Sequence, residues 1–332
     1  MCERGCPVGA KASFDVAIWP QATRAGAELR AGARVARVTT DSRGRADGVI
    51  WIDREGGEHF AGASAVVLAA NGIGTARLLL MSTDQHPDGL ANSSGLVGKN
   101  LMMHPCPEVE GVYDDELESW NGPAGQLAYS LQFYETDLDR GFHRGAKWAL
   151  MPLPGVLRVL RLFDGLPFEE RWGPGLHHLS RYAGRAFLWS ATVDDIPEER
   201  NRITLDPELT DSSGLPAPRV DFRYSEDTLR NIDFQYDRMV EAHEAAGAAH
   251  VVRGPIVPSG HLLGTARMGD DPETSVVDGY GRCHDVPNLF IVDGSVMVTG
   301  GAVNPTGTIA AFALRTARHI AETASQRTAV AA

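Results

Sequence analysis

The sequence lacks any long apolar run. The longest runs, of which residues 65–70 are an example, are far too short to span a bilayer. It also lacks a surplus of basic residues: 31 Lys and Arg stand against 43 Asp and Glu, a net charge of −12. An acidic chain repels phosphate backbones, which argues against nucleic-acid binding. No apolar signal segment opens the chain, so we expect a cytoplasmic protein.

Cysteine is also scarce, and four cysteines in 332 residues do not predict a disulfide scaffold. Cys2 and Cys6 are separated by three residues, which is not the spacing of zinc ribbons or thioredoxin-like motifs. A metal site built from His104, Cys106 and His284 is one alternative. Isolated reduced thiols are the favoured interpretation, and no metal is predicted.

Several motifs of other enzyme classes are missing, including G-x-S-x-G, H-E-x-x-H and the P-loop. Gly72 and Gly74 follow a buried-strand pattern and resemble a phosphate-binding turn. The dinucleotide fingerprint, however, would need a third glycine where the chain has Arg77. We therefore expect these glycines to permit close packing of a strand against a helix rather than to bind a nicotinamide cofactor.

Strand and helix signals alternate in residues 34–82, where the apolar run at 65–70 precedes a helix predicted from Thr75 to Ser82. Residues 126–224 carry mostly strand signals and precede a long helix after Ser225 that has one apolar face. The last seventy residues return to a short buried strand and a helix opened by Pro305. The predicted fold class is α/β plus α+β: an α/β domain interrupted by an antiparallel-sheet domain. The predicted segments are residues 1–103 and 258–332 for the α/β domain, and 104–257 for the inserted domain.

Two residues suggest redox chemistry. His261 follows Pro258, Ser259 and Gly260 and is expected on a turn, and Asn304 precedes a helix N-terminus, which favours anions such as phosphate or a reduced flavin. A base that takes a hydroxyl proton and an amide that holds the alkoxide are the pair needed to oxidise an alcohol. Taken alone, a lone histidine is usually structural, and Asn304 is better explained as a helix cap.

Several ordered motifs resemble those of the glucose–methanol–choline (GMC) oxidoreductases. The C-terminal signature of that family is similar to H-x-x-G-T-x-R-M-G at 261–269, N-L-F-I-V-D-G-S at 288–295 and V-N-P-T-G-T-I-A-A at 303–311. Its middle part is similar to C-x-x-x-C-P-x-G-A-K at 2–11, G-A-R-V-A-R-V at 32–38, A-A-N-G-I-G-T-A-R-L-L-L at 69–80 and L-V-G-K-N-L-M-M-H-P at 96–105. The resemblance is nearest to the gluconate/fructose dehydrogenase and pyranose oxidase branch.

The resemblance implies oxidation of an alcohol or sugar CH–OH group by hydride transfer to FAD. It places His261 as the catalytic base and Asn304 at the second active-site position. The cofactor contacts that it implies are Asp293 and Gly294 on the ribityl–pyrophosphate arm, Pro305 and Thr306 beneath the isoalloxazine, Val35 on the adenine, and Ala70 and Asn71 beside the adenosine. Asn71 departs from the glycine or alanine usual in the family.

The family begins with a βαβ unit that carries G-x-G-x-x-G, and the sequence has no such segment before Met1. We therefore expect an incomplete FAD-binding, Rossmann-like domain in a truncated or split flavoenzyme. The expected partners are a small alcohol or sugar and either the missing N-terminal half or an electron-acceptor subunit. The alternatives are a non-catalytic remnant or interaction module that no longer holds FAD, and a nicotinamide-dependent dehydrogenase, which Arg77 disfavours.

Overall fold

The computed structural model describes residues 12–119, 128–153 and 166–330. The strands, in chain order, are β1 (Arg34–Thr40), β2 (Ala46–Ile52), β3 (Glu58–Gly62), β4 (Val66–Leu68), β5 (Met102–Val112), β6 (Ala128–Ser130), β7 (Ala146–Pro152), β8 (Ala186–Val193), β9 (Arg202–Thr210), β10 (Pro216–Asp221), β11 (His250–Leu263) and β12 (Leu289–Ile291). The helices are α1 (Phe14–Ala17), α2 (Trp19–Arg24), α3 (Asn71–Met81), α4 (Phe168–Arg171), α5 (Pro174–Ser180), α6 (Glu226–Ala245) and α7 (Thr306–Val330). Short 3-10 turns lie at Leu138–Arg140 and Gly294–Val296.

The chain divides into two compact units. Unit 1 contains Met1–Leu29, His104–Asp194 and Glu226–Pro258, and unit 2 contains Arg30–Met103, Asp195–Ser225 and Ser259–Ala332. Residues 195–225 therefore cluster with unit 2, although the sequence places them in the inserted domain. The three segments drawn from the sequence remain a prediction.

Unit 2 contains a three-stranded antiparallel sheet in the order β1-β2-β3 and a parallel pair, β4 with β12. Leu289, Ile291 and Leu79 are buried in the core that joins this pair to helix α3. The side chain of Asn288 fastens the start of β12, because its amide bonds the backbone N–H and carbonyl of Ala46 at 2.9 and 2.7 Å. The parallel pair is thereby fixed beside the antiparallel sheet.

Helix α3 begins earlier than the sequence predicts. The pattern predicts a start at Thr75, but the helix starts at Asn71, which adopts a left-handed φ of +66°. Asparagine tolerates that conformation because its short polar side chain bonds the nearby backbone. Its Oδ1 accepts the N–H groups of Ile73 and Gly74 at 2.9 and 3.2 Å. Strand β4 therefore passes into helix α3 within three residues.

Unit 1 is built on a five-stranded sheet in the order β11-β5-β8-β7-β6. Helix α6 packs on one face of it, where Ile232 and Met239 are buried with Val109 and Val193. A hydrogen bond of 2.7 Å from the Trp148 indole to Gln235 joins the sheet to the helix, and the Gln235 amide in turn donates to the buried Asn231 at 2.8 Å. The expected antiparallel sheet with a long helix is present, and the fold class is confirmed.

His243, near the end of α6, is a buried structural residue of unit 1. Its Nε2 donates to the carbonyl of Val109 at 3.0 Å, and its Nδ1 accepts the Tyr113 hydroxyl at 2.8 Å. Gly111 lies directly against the ring, and a β-carbon there would collide with Nδ1. Burial lowers the pKa of His243, although the bond to Val109 opposes that shift, so the neutral ring is favoured.

Candidate functional site

The site predicted from the sequence centres on the edge of unit 2 where β4 and β12 end. Both parallel strands point their carboxyl ends to this edge, which is where open α/β sheets bind ligands. The buried carboxylate of Asp293 accepts the Thr75 hydroxyl at 2.5 Å and the Ser295 N–H at 2.8 Å. Thr75 also accepts the N–H of Ala70 at 3.1 Å. The Asp293 side chain thus connects strand β12 to helix α3, although Asp293 and Thr75 are 218 residues apart in the chain.

Two glycines at this edge lie against the end of strand β11. A β-carbon on Gly72 or on Gly294 would come within 2.6 Å of the carbonyl oxygen of Leu262. Both positions therefore favour glycine, because an added β-carbon would force the backbone to shift. This close approach agrees with the expectation that Gly72 serves packing rather than phosphate binding.

The segment after β11 is held along the same edge by hydrogen bonds. The Thr265 hydroxyl donates to the carbonyl of Gly72 at 2.5 Å, and the N–H of Ala266 donates to Ser295 at 2.8 Å. Gly264 has a φ of +92° and faces the carbonyl of Asn100 so closely that any side chain would collide. Residues 262–266 are therefore held by Gly72 and Ser295 on one side and lie against Asn100 on the other.

His261 immediately precedes this fixed segment. The expectation of a turn is wrong: strand β11 continues through Pro258, Ser259 and Gly260 to Leu263, so His261 is a strand residue. The His261 side chain is half-buried, and its backbone N–H donates to the Ser259 hydroxyl at 3.3 Å. Strand β11 therefore sets the position of the imidazole. Leu262, the residue after His261 in this strand, contacts Gly72 and Gly294.

Asn304 is exposed and lies two residues before helix α7, with buried Pro305 between the two. Thr306 is the first helical residue, and the N–H of Ile309 donates to the carbonyl of Pro305 at 2.9 Å. The first N–H groups of such a helix have no carbonyl partners within it, which creates a local positive field. Asn304, Pro305 and Thr306 are thus grouped at a helix N-terminus of unit 2.

Val35, Ala70 and Asn71 line one cleft of unit 2 with a volume of about 850 Å³. This is within the range of small-molecule sites, roughly 300–1,000 Å³. Asp53 also lines it, but its carboxylate is already bonded to the N–H groups of Glu55 and Gly57 and to the His59 ring. The hydrogen bond from His59 and then the backbone bonds lower the pKa of Asp53. The Asp53 carboxylate therefore stabilises the β2–β3 hairpin.

The predicted residues thus fall into four groups within unit 2. The adenosine-side residues share the cleft, and Asp293 and Gly294 lie at the sheet edge with Thr75. His261 lies in strand β11, and Asn304 and Pro305 directly precede helix α7, which Thr306 begins. Sequence reasoning missed Thr75 and Leu262. A threonine in the first helical turn after a parallel strand could have indicated Thr75, whereas only the fold reveals the contact of Leu262.

The two cysteines of the described residues are free thiols, of which Cys106 is half-buried and Cys283 is buried. Burial, with a smaller contribution from Glu108, raises the pKa of Cys106 to about 11, and burial also raises the pKa of Cys283. Raised pKa values make thiols poor nucleophiles. Across the described ranges, no group of three or more metal-ligating side chains is placed to hold an ion. Cys2 and Cys6 lie outside the described residues.

None of the helices that the structure describes combines the length and apolar character needed to cross a membrane.

Comparison with known proteins identifies the family. Two family models described as GMC oxidoreductase match residues 1–106 and residues 197–313. The chain is 41% identical to 2-methyl-1,2-propanediol dehydrogenase of Mycolicibacterium austroafricanum, covering 95% of this chain and 58% of that protein. It is 30% identical to the fructose dehydrogenase large subunit of Gluconobacter japonicus, with 95% and 58% covered.

A solved structure shares the fold. A variant of the formate oxidase of Aspergillus oryzae RIB40 aligns with a TM-score of 0.62 at 17% identity, covering 89% of this chain and 60% of that one. This likeness reaches both units, since it extends over most of the chain. The sequence matches and the shared fold agree with the order of motifs described above, and the chain belongs to the GMC oxidoreductase family.

Proposed function

We propose that this protein oxidises a CH–OH group of a small alcohol, diol or sugar with FAD as cofactor. The observation that carries the proposal is the fixed segment after His261, which contacts Gly72 and Gly294 at the carboxyl edge of the parallel pair. In open α/β sheets, ligands bind at the carboxyl ends of the parallel strands. The relatives named for a propanediol and for fructose support a polyhydroxylated substrate.

The residues present fit the cofactor. The cleft beside Val35, Ala70 and Asn71 has room for the adenosine end, and Arg34 and Arg54 in its lining suit a diphosphate. Asp293 and Gly294 would lie along the ribityl–pyrophosphate arm. When bound, FAD supplies the two-electron acceptor for the oxidation. The formate oxidase neighbour was studied for modification of its FAD, which supports this choice of cofactor.

The chain's own residues would handle the proton and the oxygen of the substrate. His261 would take the hydroxyl proton on an imidazole nitrogen, a general-base role that histidine fills most often in enzymes. The Asn304 amide would donate a hydrogen bond to the oxygen as negative charge develops on it. The N-terminus of helix α7 would add a favourable field for negative charge nearby.

An electron-acceptor subunit is a proposed partner. The fructose dehydrogenase relative is named as a large subunit, and is therefore one component of a larger enzyme. Co-purification of the protein with its partner after affinity capture would test this association directly.

The role of His261 is tested with His261→Ala in the FAD-saturated protein. A general base contributes about 10²–10⁴-fold to a proton-transfer step, so anaerobic flavin reduction by a diol or sugar should slow by that factor. FAD affinity should stay within about threefold of the wild type, because His261 is not assigned to cofactor binding.

His177→Ala is the matched control, since His177 is an exposed histidine on helix α5 of unit 1. It should reduce flavin at the wild-type rate. An unchanged rate in His261→Ala would refute the base. Failure of the wild type to bind FAD at saturating concentrations would instead favour a remnant or interaction module.

A further inference from the structure

Arg77 links helix α3 to the turn of the β9–β10 hairpin. Its guanidinium lies 2.9 Å from the Asp211 carboxylate and donates to the carbonyls of Pro216 and Leu215 at 2.7 and 3.2 Å. The side chain is only 11% exposed. A planar guanidinium that binds three acceptors on one turn fixes both the position and the orientation of that turn.

The turn itself, residues 211–215, is rigid and is called the hairpin tip below. The Asp211 carboxylate accepts the N–H groups of Ser213 and Leu215 at 2.8 and 3.1 Å, and Gly214 adopts a left-handed φ of +75°. Burial by itself would raise the pKa of Asp211, but the Arg77 bond and the two backbone bonds bring it below its ordinary value. The Asp211 carboxylate is therefore charged, and its bonds to Arg77, Ser213 and Leu215 hold the tip in place.

The hairpin tip reaches the cleft that holds Val35, Ala70 and Asn71. Ser212 and Ser213 line that cleft with the start of helix α3. Asp53, the acidic residue directly after β2, has both carboxylate oxygens bonded within the β2–β3 hairpin. The two serine hydroxyls are polar groups that the tip brings to the cleft, and each can donate and accept a hydrogen bond.

We propose that the hairpin tip forms one wall of the adenosine site, and that Arg77 is the positioning residue that holds this wall in place. The proposal rests on the proposed function, because it assumes that the cleft takes the adenosine end of FAD. Ser212 and Ser213 would hydrogen-bond the ribose or diphosphate, and Arg34, within 4.0 Å of Asp211, would add positive charge. Arg77, which stands where the dinucleotide fingerprint has a glycine, would thus position the hairpin tip.

The test measures binding rather than turnover, with ADP as the probe and calorimetric titration of the full chain. Arg77→Met should weaken ADP binding about tenfold, because the wall is no longer preorganised. Arg219→Met is the matched control: Arg219 lies on the same hairpin, is 59% exposed and lies 3.7 Å from the Asp221 carboxylate. It should bind ADP like the wild type.

A second variant leaves the Arg77 bonds intact. Ser213→Glu adds a carboxylate to the cleft wall, and should weaken ADP binding at least about tenfold through repulsion of the diphosphate. Its thermal midpoint without ADP should match that of the wild type. Thr210→Glu, at an exposed position outside the cleft lining, is its control and should leave ADP binding unchanged.

Binding of ADP, FAD and FMN distinguishes the proposed function from the proposal that the hairpin tip forms a wall of the adenosine site. ADP and FAD should both bind more weakly to Ser213→Glu, whereas FMN, which lacks adenosine, should show no difference between variant and wild type. Equal ADP affinity in Ser213→Glu and the wild type would overturn the wall while leaving the proposed function standing. Absence of both ADP and FAD binding to the wild type would overturn the two together.

Discussion

Unit 1 joins helix α6 to its sheet through side chains, whereas the predicted active-site edge of unit 2 joins backbones across glycines. In unit 1, Met239 and Ile232 fill space between helix and sheet. In unit 2, Gly72 and Gly294 leave space so that Leu262 can approach. The first arrangement is sensitive to removing volume and the second to adding it. The comparison therefore predicts opposite responses to small changes in side-chain size.

The largest effect is expected from Met239→Ala in unit 1. Met239 is fully buried, and its truncation leaves a cavity that should cost about 2–5 kcal/mol of unfolding free energy. Hydrogen exchange followed by mass spectrometry should show faster exchange confined to unit 1. Leu229→Ala is the control, since Leu229 lies on the same helix but is 42% exposed. Similar losses in the two variants would contradict the assigned packing.

A smaller effect is expected from Gly72→Ala in unit 2. The new β-carbon would meet the Leu262 carbonyl, and the required backbone shift should cost about 1–3 kcal/mol. Exchange should accelerate in residues 70–76 and 261–266, and FAD binding should weaken.

Gly307→Ala makes the same chemical change in helix α7, where nothing lies within 4 Å of the added carbon. There the gain in helix propensity should leave stability unchanged or raise it by about 0.5–1 kcal/mol. A wild-type exchange pattern in Gly72→Ala would show that the edge tolerates added volume after all.

The smallest effect concerns pH and the histidine of unit 1. Because burial lowers the pKa of His243 in the folded state, the unfolded chain binds more protons as pH falls below about 6.5. The contribution of His243 to stability is therefore present above that pH and is lost as pH falls toward the folded-state pKa. Urea unfolding of the wild type and of His243→Gln between pH 7.5 and 5 should show a shallower pH slope in the variant. Parallel slopes would exclude His243 as the source.

The parts of the fold that follow local patterns could be predicted from the sequence. The apolar run before Gly72 and the run at 289–291 form the parallel pair, which is buried except at Val67, and one apolar face predicts helix α6. Helix α3 starts earlier than the pattern predicts because Asn71 caps the helix from a left-handed conformation. His261 lies in a strand and not on the predicted turn because β11 continues through a proline and a glycine that ordinarily end a strand.

The contacts that assemble the site could not be predicted, because they join residues far apart in the chain. Asp293 and Thr75 meet only when the two parallel strands pair, and Arg77 reaches the hairpin tip across more than 130 residues. The motifs placed these residues in a family, but their partners depend on the tertiary structure. Arg77 in particular looked like a departure from a glycine fingerprint, and the structure gives it three hydrogen-bond acceptors.

Binding of FAD by unit 2 beside His261 is measured by titrating the full chain with FAD and monitoring the quenching of flavin fluorescence. We expect saturable binding of one FAD per chain. The affinity should be the same in the wild type and His261→Ala but lower in Gly72→Ala. Titration curves without saturation in the wild type, or equal affinity in Gly72→Ala, would contradict FAD binding at this site.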